Sequence, residues 1–230
     1  MVAFVLEKFF HHVSEAPDSL ATHLQPYAAH IDGLRRVGHQ LWNRGWSLGT
    51  SSNYSVVIDR NPLRLLITAS GKDKGHLAAN DFVIVDELGQ VTPSGQSKSS
   101  AETLLHCTAA ATCGAGAVLH SHSVWGTLLS HHFFELGGIR IDGFEMLKGL
   151  EGITTHESSC WIPIFDNTQD IPLLQSKVVR YMQDHPDEKC WGYLIRRHGL
   201  YTWGRDLAEA TRHIEVMEFL LECLGRMLHR

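Results

Sequence analysis

The sequence predicts an α/β protein whose central, mostly antiparallel β-sheet is flanked by α-helices. Three observations predict it. Short runs rich in β-branched residues alternate irregularly with stretches whose apolar residues recur at helical spacing. The chain has 230 residues, 43% of them apolar, enough for one sizeable core. No repeat, low-complexity tract or linker divides it, so residues 1–230 read as a single domain, with residues 1–17 as an N-terminal extension.

The opening MVAFVLEKFF is apolar but is broken by Glu7 and Lys8, and it is too short to span a bilayer. It has neither a basic leader nor a small-residue cleavage site, so it reads as a short amphipathic or frayed piece, not a targeting signal. Over residues 18–42, Leu20, Leu24, Tyr27, Ile31, Leu34, Val37 and Leu41 predict one or two amphipathic helices, with Asp18 or Ser19 as cap. SSNYSVVIDR, LRLLITAS and DFVIVDE, separated by turn-forming residues, predict three strands. Residues 99–111 predict a helix opening on Ser-Ser-Ala-Glu, with an acid in its first turn.

GAGAVLH then reads as a buried strand, residues 124–130 and FEMLKGLEG as short helices, WIPIFD as a strand and residues 172–184 as a helix. CWGYLIRRHGLYTW predicts a strand ending near His198, followed by a short TWG turn. Leu207, Ile214, Met217, Leu221, Leu224 and Leu228 form the apolar stripe of a closing helix.

A net charge of −5, with charges well mixed, argues against nucleic acid as a partner, because phosphate-backbone binding needs concentrated Lys and Arg. No run is apolar and long enough to predict a membrane partner. The five cysteines (Cys107, Cys113, Cys160, Cys190, Cys223) are odd in number and lack a C-x-x-C, which predicts free thiols in a reducing compartment, the cytoplasm.

The motif richest in chemistry is His120-Ser121-His122. Residues two apart on a strand share a face, so an H-x-H at a strand end aims two imidazoles at one point. His198 ends a second apolar run. Three histidines without a thiolate would make an open site for a divalent cation, leaving a position for water or substrate. The alternative is a chance pairing among 16 histidines, of which His131 and His132 are adjacent without such geometry. The turns Gly49-Thr50-Ser51-Ser52-Asn53 and Thr68-Ala69-Ser70-Gly71-Lys72 either hold an anion on clustered N–H groups or are only tight turns. Lys72 and Lys74 either add charge there or are solvated. Glu102 reads as a dipole partner in a first helical turn or as a catalytic acid, and Glu145 as a surface residue or a base. Arg196 and Arg197 read as structural, Tyr201 and Trp203 as core or interface, and Cys107 and Cys113 as buried small apolar residues.

In this order, GWSLGTSSNYSV, TASGKDKG, SSAETLLH, LHSHS, FEMLKGL and RRHGLYTWG resemble the class II aldolase family from about Leu34 to the C-terminus. The resemblance is closest to its methylthioribulose 1-phosphate dehydratases, which act in methionine salvage. The G-x-x-S-N-x-S turn and the H-x-H strand identify the fold more than the reaction. SGKDKG, SAET, EMLKGL and RRHGLYTWG point to the dehydratases. The resemblance implies a class II aldolase-like fold and one divalent metal per chain, zinc or another cation that imidazoles accept, on His120, His122 and His198. It implies a sugar phosphate held by Asn53, Ser70, Gly71 and Ser100. It assigns the proton transfer to Glu145, with Glu102 as a metal neighbour or second acid, whereas aldolase usage would place that role on Glu102. It further implies a homotetramer with sites near subunit interfaces. Two rivals remain: an aldolase acting on another sugar phosphate, such as fuculose or rhamnulose 1-phosphate, and an adducin-like interaction module without catalysis.

Overall fold

The computed structural model describes residues 20–228. The N-terminal extension and the two candidate caps Asp18 and Ser19 therefore lie outside the described residues. A 3-10 turn, Gln25–Tyr27, with Pro26 at its start, leads into helix α1, Ala28–Asn43. Proline suits a helical first turn because its missing N–H would have no partner there. Strands β1 (Asn53–Arg60), β2 (Leu63–Thr68) and β3 (Phe82–Asp86) follow, then α2 (Thr103–Thr112), β4 (Ala117–Ser121) and α3 (Val124–His132). Next come β5 (Gly138–Asp142), the 3-10 segment Glu145–Gly149, β6 (Ser159–Phe165) and α4 (Ile171–Asp184). Strands β7 (Gly192–Ile195) and β8 (Gly199–Gly204) precede the closing helix α5, Leu207–Leu228.

The strands form one eight-stranded sheet in the order β3-β2-β1-β4-β8-β7-β6-β5. Only β6 and β7 pair in parallel; the remaining neighbours are antiparallel, as the sequence predicts. Period-2 alternation sends successive side chains to opposite faces. Tyr54, Val56, Leu66, Leu119 and Leu200 face a core closed by α1, α3 and α5. Val118, Tyr193, Tyr201 and Trp203 face α2 and α4, while Leu65, Ile67, Val83 and Val85 face Cys107 and Ala110 of α2. His120 follows Val118 by two residues and so lies on the α2 side, whereas Ser121 points toward α5.

Four expectations change. The segment CWGYLIRRHGLYTW is a hairpin, not one strand: Gly192 pairs with Thr202 and Ile195 with Gly199, so His198 sits in the turn and the predicted TWG turn belongs to β8. The turn forms because Arg197 takes a left-handed φ of 54° and its N–H donates to Ser130 Oγ at 3.0 Å. Residues 99–102 stand outside the helix, which begins at Thr103; Ser99 instead bridges to Ala69. His122 lies one residue past β4, fixed by its N–H to the Trp46 carbonyl at 2.7 Å. Strand β5 has no counterpart in the sequence reading. It is only five residues at the sheet edge, and its alternation of buried Ile139 and Ile141 with exposed Arg140 and Asp142 is too short to stand out between glycine turns.

Candidate active site

Three different pieces of backbone deliver the histidines. His120 comes from the end of β4, His122 from the loop after it, and His198 from the β7–β8 turn, which antiparallel pairing of β4 with β8 brings alongside. One ligand nitrogen from each lies within 4.8 Å of the others. The rings stand edge to face, with centroids 4.5 Å apart for His120 and His122 and 4.6 Å for His122 and His198.

The donor set fits a divalent cation. His120 Nδ1 bonds the Leu200 carbonyl at 2.9 Å, which places its proton there and leaves Nε2 as a lone pair. That Nε2 is buried and has no hydrogen-bond partner among the described residues, as a metal-ligand nitrogen would. Burial and the neighbouring imidazoles push the His120 pKa well down, and burial with His198 takes His122 to about 4, so both are neutral near pH 7. Neutral imidazole is the form that binds metal.

Glu102 completes the cluster. It occupies the N-cap position of α2, but its side chain makes no capping bond. Its carboxylate turns instead to the histidines, 3.2 Å from His198 Nε2 and 3.6 Å from His120 Nε2. Tyr201 O–H donates to it at 2.8 Å and Asn53 Nδ2 at 3.1 Å. Burial and the Glu102 charge drive the Tyr201 pKa well up, so the phenol keeps the proton it donates. The Tyr201 ring also stacks on His120, centroids 4.0 Å apart. The sequence reading, which placed Tyr201 in the core or an interface, finds the burial but not this bond; only the face alternation of β8 beside β4 could have signalled it.

Asn53 is itself held from below. His106, buried on α2, bonds Asn53 Oδ1 through Nε2 and Ser55 Oγ through Nδ1, the latter at 2.8 Å. Burial lowers its pKa to about 3. A neutral ring then has one donor and one acceptor nitrogen, which matches one carbonyl and one hydroxyl. His106 is a second residue without a warning in the sequence, since a histidine inside an apolar helix reads as core.

Beside the triad lies a cavity of about 170 Å³ lined by Thr50, Ser52, Asn53, Ser70, Gly71, Lys74, Ser100, Glu102, His122 and His198 among others. All four residues expected around a phosphate, Asn53, Ser70, Gly71 and Ser100, are in its wall. They are brought together by two backbone ties, Ser70 N–H to the Lys98 carbonyl at 2.9 Å and the Ala69–Ser99 bridge. Gly71, at φ 72°, takes the left-handed backbone conformation that residues with a side chain rarely adopt. Lys74 is 1% exposed and donates to the carbonyls of Lys72, at 2.6 Å, and Thr50, at 3.4 Å, so it clasps the two loops together. Burial takes its pKa down to about 8. Lys72 pairs with Asp81 at 2.7 Å.

Glu145 stands elsewhere. Its side chain is 71% exposed on the 3-10 segment, paired with Lys148 at 2.5 Å, and it is not in the wall of this cavity. The hydrogen bond and charge of Lys148 lower its pKa. Of the two carboxylates singled out in the sequence, only Glu102 meets the histidines within one chain.

The class II aldolase and adducin N-terminal domain family matches residues 32–224. The chain is 47% identical over 206 residues to the methylthioribulose-1-phosphate dehydratase of Hahella chejuensis, covering 89% of this chain and 97% of that protein. It is also 47% identical over 193 residues to the enzyme of the same name from Pseudomonas aeruginosa PAO1, covering 84% and 91%. Among solved structures, L-fuculose-1-phosphate aldolase from Thermus thermophilus superimposes with a TM-score of 0.67 over 88% of this chain and 98% of that one, at 22% identity, a likeness of fold. With the family spanning the sheet and both ligand-bearing turns, the chain belongs to the class II aldolase and adducin family, among its methylthioribulose-1-phosphate dehydratases.

Proposed function

We propose that this chain removes water from 5-methylthioribulose 1-phosphate to give 2,3-diketo-5-methylthiopentyl 1-phosphate, a step of methionine salvage, with a divalent metal, zinc first, on His120, His122 and His198. The observation that carries the reading is a cluster of three imidazoles next to Glu102, opening on a cavity walled by small polar loops, in a chain 47% identical to dehydratases of that name. When bound, the metal supplies Lewis acidity to the sugar's carbonyl and hydroxyl oxygens.

The residues of the chain do the rest. Asn53, Ser70, Gly71 and Ser100 receive the phosphate, with Lys74 as the nearby cation, and so fix which carbon faces the triad. Tyr201 and Asn53 orient the Glu102 carboxylate at the edge of the site. Glu145 takes the proton from carbon 3 and returns it to the departing carbon-4 hydroxyl; water leaves and the enol ketonises. Because Glu145 is exposed and outside its own chain's cavity, this role requires a neighbouring copy to present it, in keeping with a homotetramer. Glu102 is the competing base. The expected compartment is the cytoplasm; among the described residues, no helix is long and apolar enough to cross a membrane.

Product analysis tests the reading. Metal-loaded protein should convert 5-methylthioribulose 1-phosphate to the diketone and leave fuculose and rhamnulose 1-phosphates intact. Carbon–carbon cleavage of either of those, with the first substrate untouched, replaces the dehydratase with an aldolase, and inertness toward all three favours the interaction module.

A further inference from the structure

We propose that Glu218 is a positioning residue for the metal ligands: from α5 it grips Ser121, the residue between His120 and His122, and thereby sets where the two imidazoles stand. The inference rests on the reading of the triad as a divalent-metal site. Glu218 is 2% exposed, in the middle of α5, and Ser121 Oγ donates to its Oε1. Ser121 is itself fully buried, pointing to the α5 face while its two histidine neighbours serve the other. Among the described residues, Glu218 Oε2 has no hydrogen-bond partner. A buried carboxyl with one oxygen unsatisfied costs stability, so packing alone gives no reason for an acid here. Burial raises its pKa to about 7 against the serine hydroxyls of Ser121 and Ser123, which lower it.

The grip matters because the backbone between the ligands changes character there. His120 is the last residue of β4 to pair with β1, opposite Asn53, and Ser121 the last to pair with β8, opposite Leu200. His122 is past the strand, and Ser123 already caps α3 by accepting the Gly126 N–H at 2.9 Å. Beside the pairing with β8 and the His122 N–H to Trp46, the Glu218–Ser121 bond is the side-chain tie that holds the strand end from the α5 face. Residues behind metal ligands commonly change metal affinity by roughly 10–100-fold when replaced.

The test is cobalt titration followed by its visible ligand-field spectrum, with thermal melting in parallel. Glu218→Gln keeps size and a hydrogen bond to Ser121 and should bind cobalt as the wild type does. The pair Glu218→Leu with Ser121→Ala removes both polar groups and leaves neither orphaned, so a merely space-filling role predicts normal binding. A positioning role predicts a folded protein with at least about tenfold weaker cobalt binding and an altered spectrum. Wild-type affinity and spectrum in that pair overturn the proposal. If the pair does not fold, Glu218→Asp, one methylene shorter, decides: weakened binding supports the proposal, unchanged binding overturns it. Wild-type protein that takes up no cobalt defeats the metal reading itself, a different result from wild type and variants binding alike.

Discussion

At the scale of single residues, the site depends on keeping His120 and His122 neutral and Lys74 charged. Burial does the first directly. The triad is expected to carry one divalent ion per chain, so His120→Ala, His122→Ala and His198→Ala combined should abolish bound metal in elemental analysis; undiminished zinc would end the metal assignment. Lys74 is the more delicate group, because burial brings its pKa to about 8, within reach of ordinary buffers. Its ammonium attracts phosphate below that value and loses the charge as pH rises through it. Lys74→Met should raise KM by roughly tenfold or more, as expected for a lost bond to a charged group. The wild-type KM should climb above about pH 8 and that of the variant should not. A variant with unchanged KM would leave Lys74 as a clasp between loops and nothing more.

At the scale of elements, the decisive piece is the β7–β8 hairpin. Its turn carries His198, and the next residue, Gly199, lies so close to β4 that an added Cβ would stand 1.9 Å from the Ser121 carbonyl oxygen and 3.2 Å from His120 Cε1. Any side chain there must push the hairpin away from the strand bearing the other ligands. Gly199→Ala is therefore expected to cost about 2–3 kcal/mol in denaturant unfolding, at the upper end for overpacking, and to lose most metal affinity. Retention of wild-type stability and metal would show that β8 can shift without disturbing the triad. Helix α2 is the companion element: its start places Glu102 and Ser100, and its buried His106 fixes Asn53 from behind, so one helix supports both the metal side and the phosphate side.

At the scale of the whole molecule, two buried groups give stability an opposing pH dependence. Folded His106 stays neutral to about pH 3, while its unfolded imidazole binds a proton near 6.5, so between these values the unfolded chain holds more protons and stability falls as pH drops. Glu218 works the other way. Its folded pKa of about 7 against 4.5 unfolded means the native state holds more protons in that window, and stability falls as pH rises through it. Between about pH 4.5 and 6.5 the two oppose each other; below 4.5 the His106 loss is unopposed by Glu218. Urea unfolding from about pH 7 to about pH 5 should show Glu218→Gln losing more stability than the wild type, because its compensating gain is gone. Equal slopes would mean the acid is not buried as described. Assembly is the other whole-molecule question. Glu145→Gln and His122→Ala, each inactive alone, should regain activity when co-assembled if Glu145 serves a neighbour's site. If mixtures stay inactive and Glu102→Gln alone is dead with metal bound, the base is Glu102.

What the sequence by itself determined was every element whose signal is local: the strands of the first sheet half, the amphipathic α1, α4 and α5, and the strand carrying His120. Spacing pointed His120 and His122 to one place, although His122 lies past β4 and is fixed there by its N–H to the Trp46 carbonyl. Tertiary structure decided the remainder. It split one apolar run into a hairpin, because the left-handed Arg197 and its bond to Ser130 lie outside any local pattern. It separated two glutamates of which the resemblance favoured Glu145: Glu102 is half-buried beside the triad, whereas Glu145 is exposed beside Lys148. It also revealed Tyr201, His106 and Glu218 as partners of the site, contacts between residues from 53 to 99 positions apart that no periodicity encodes.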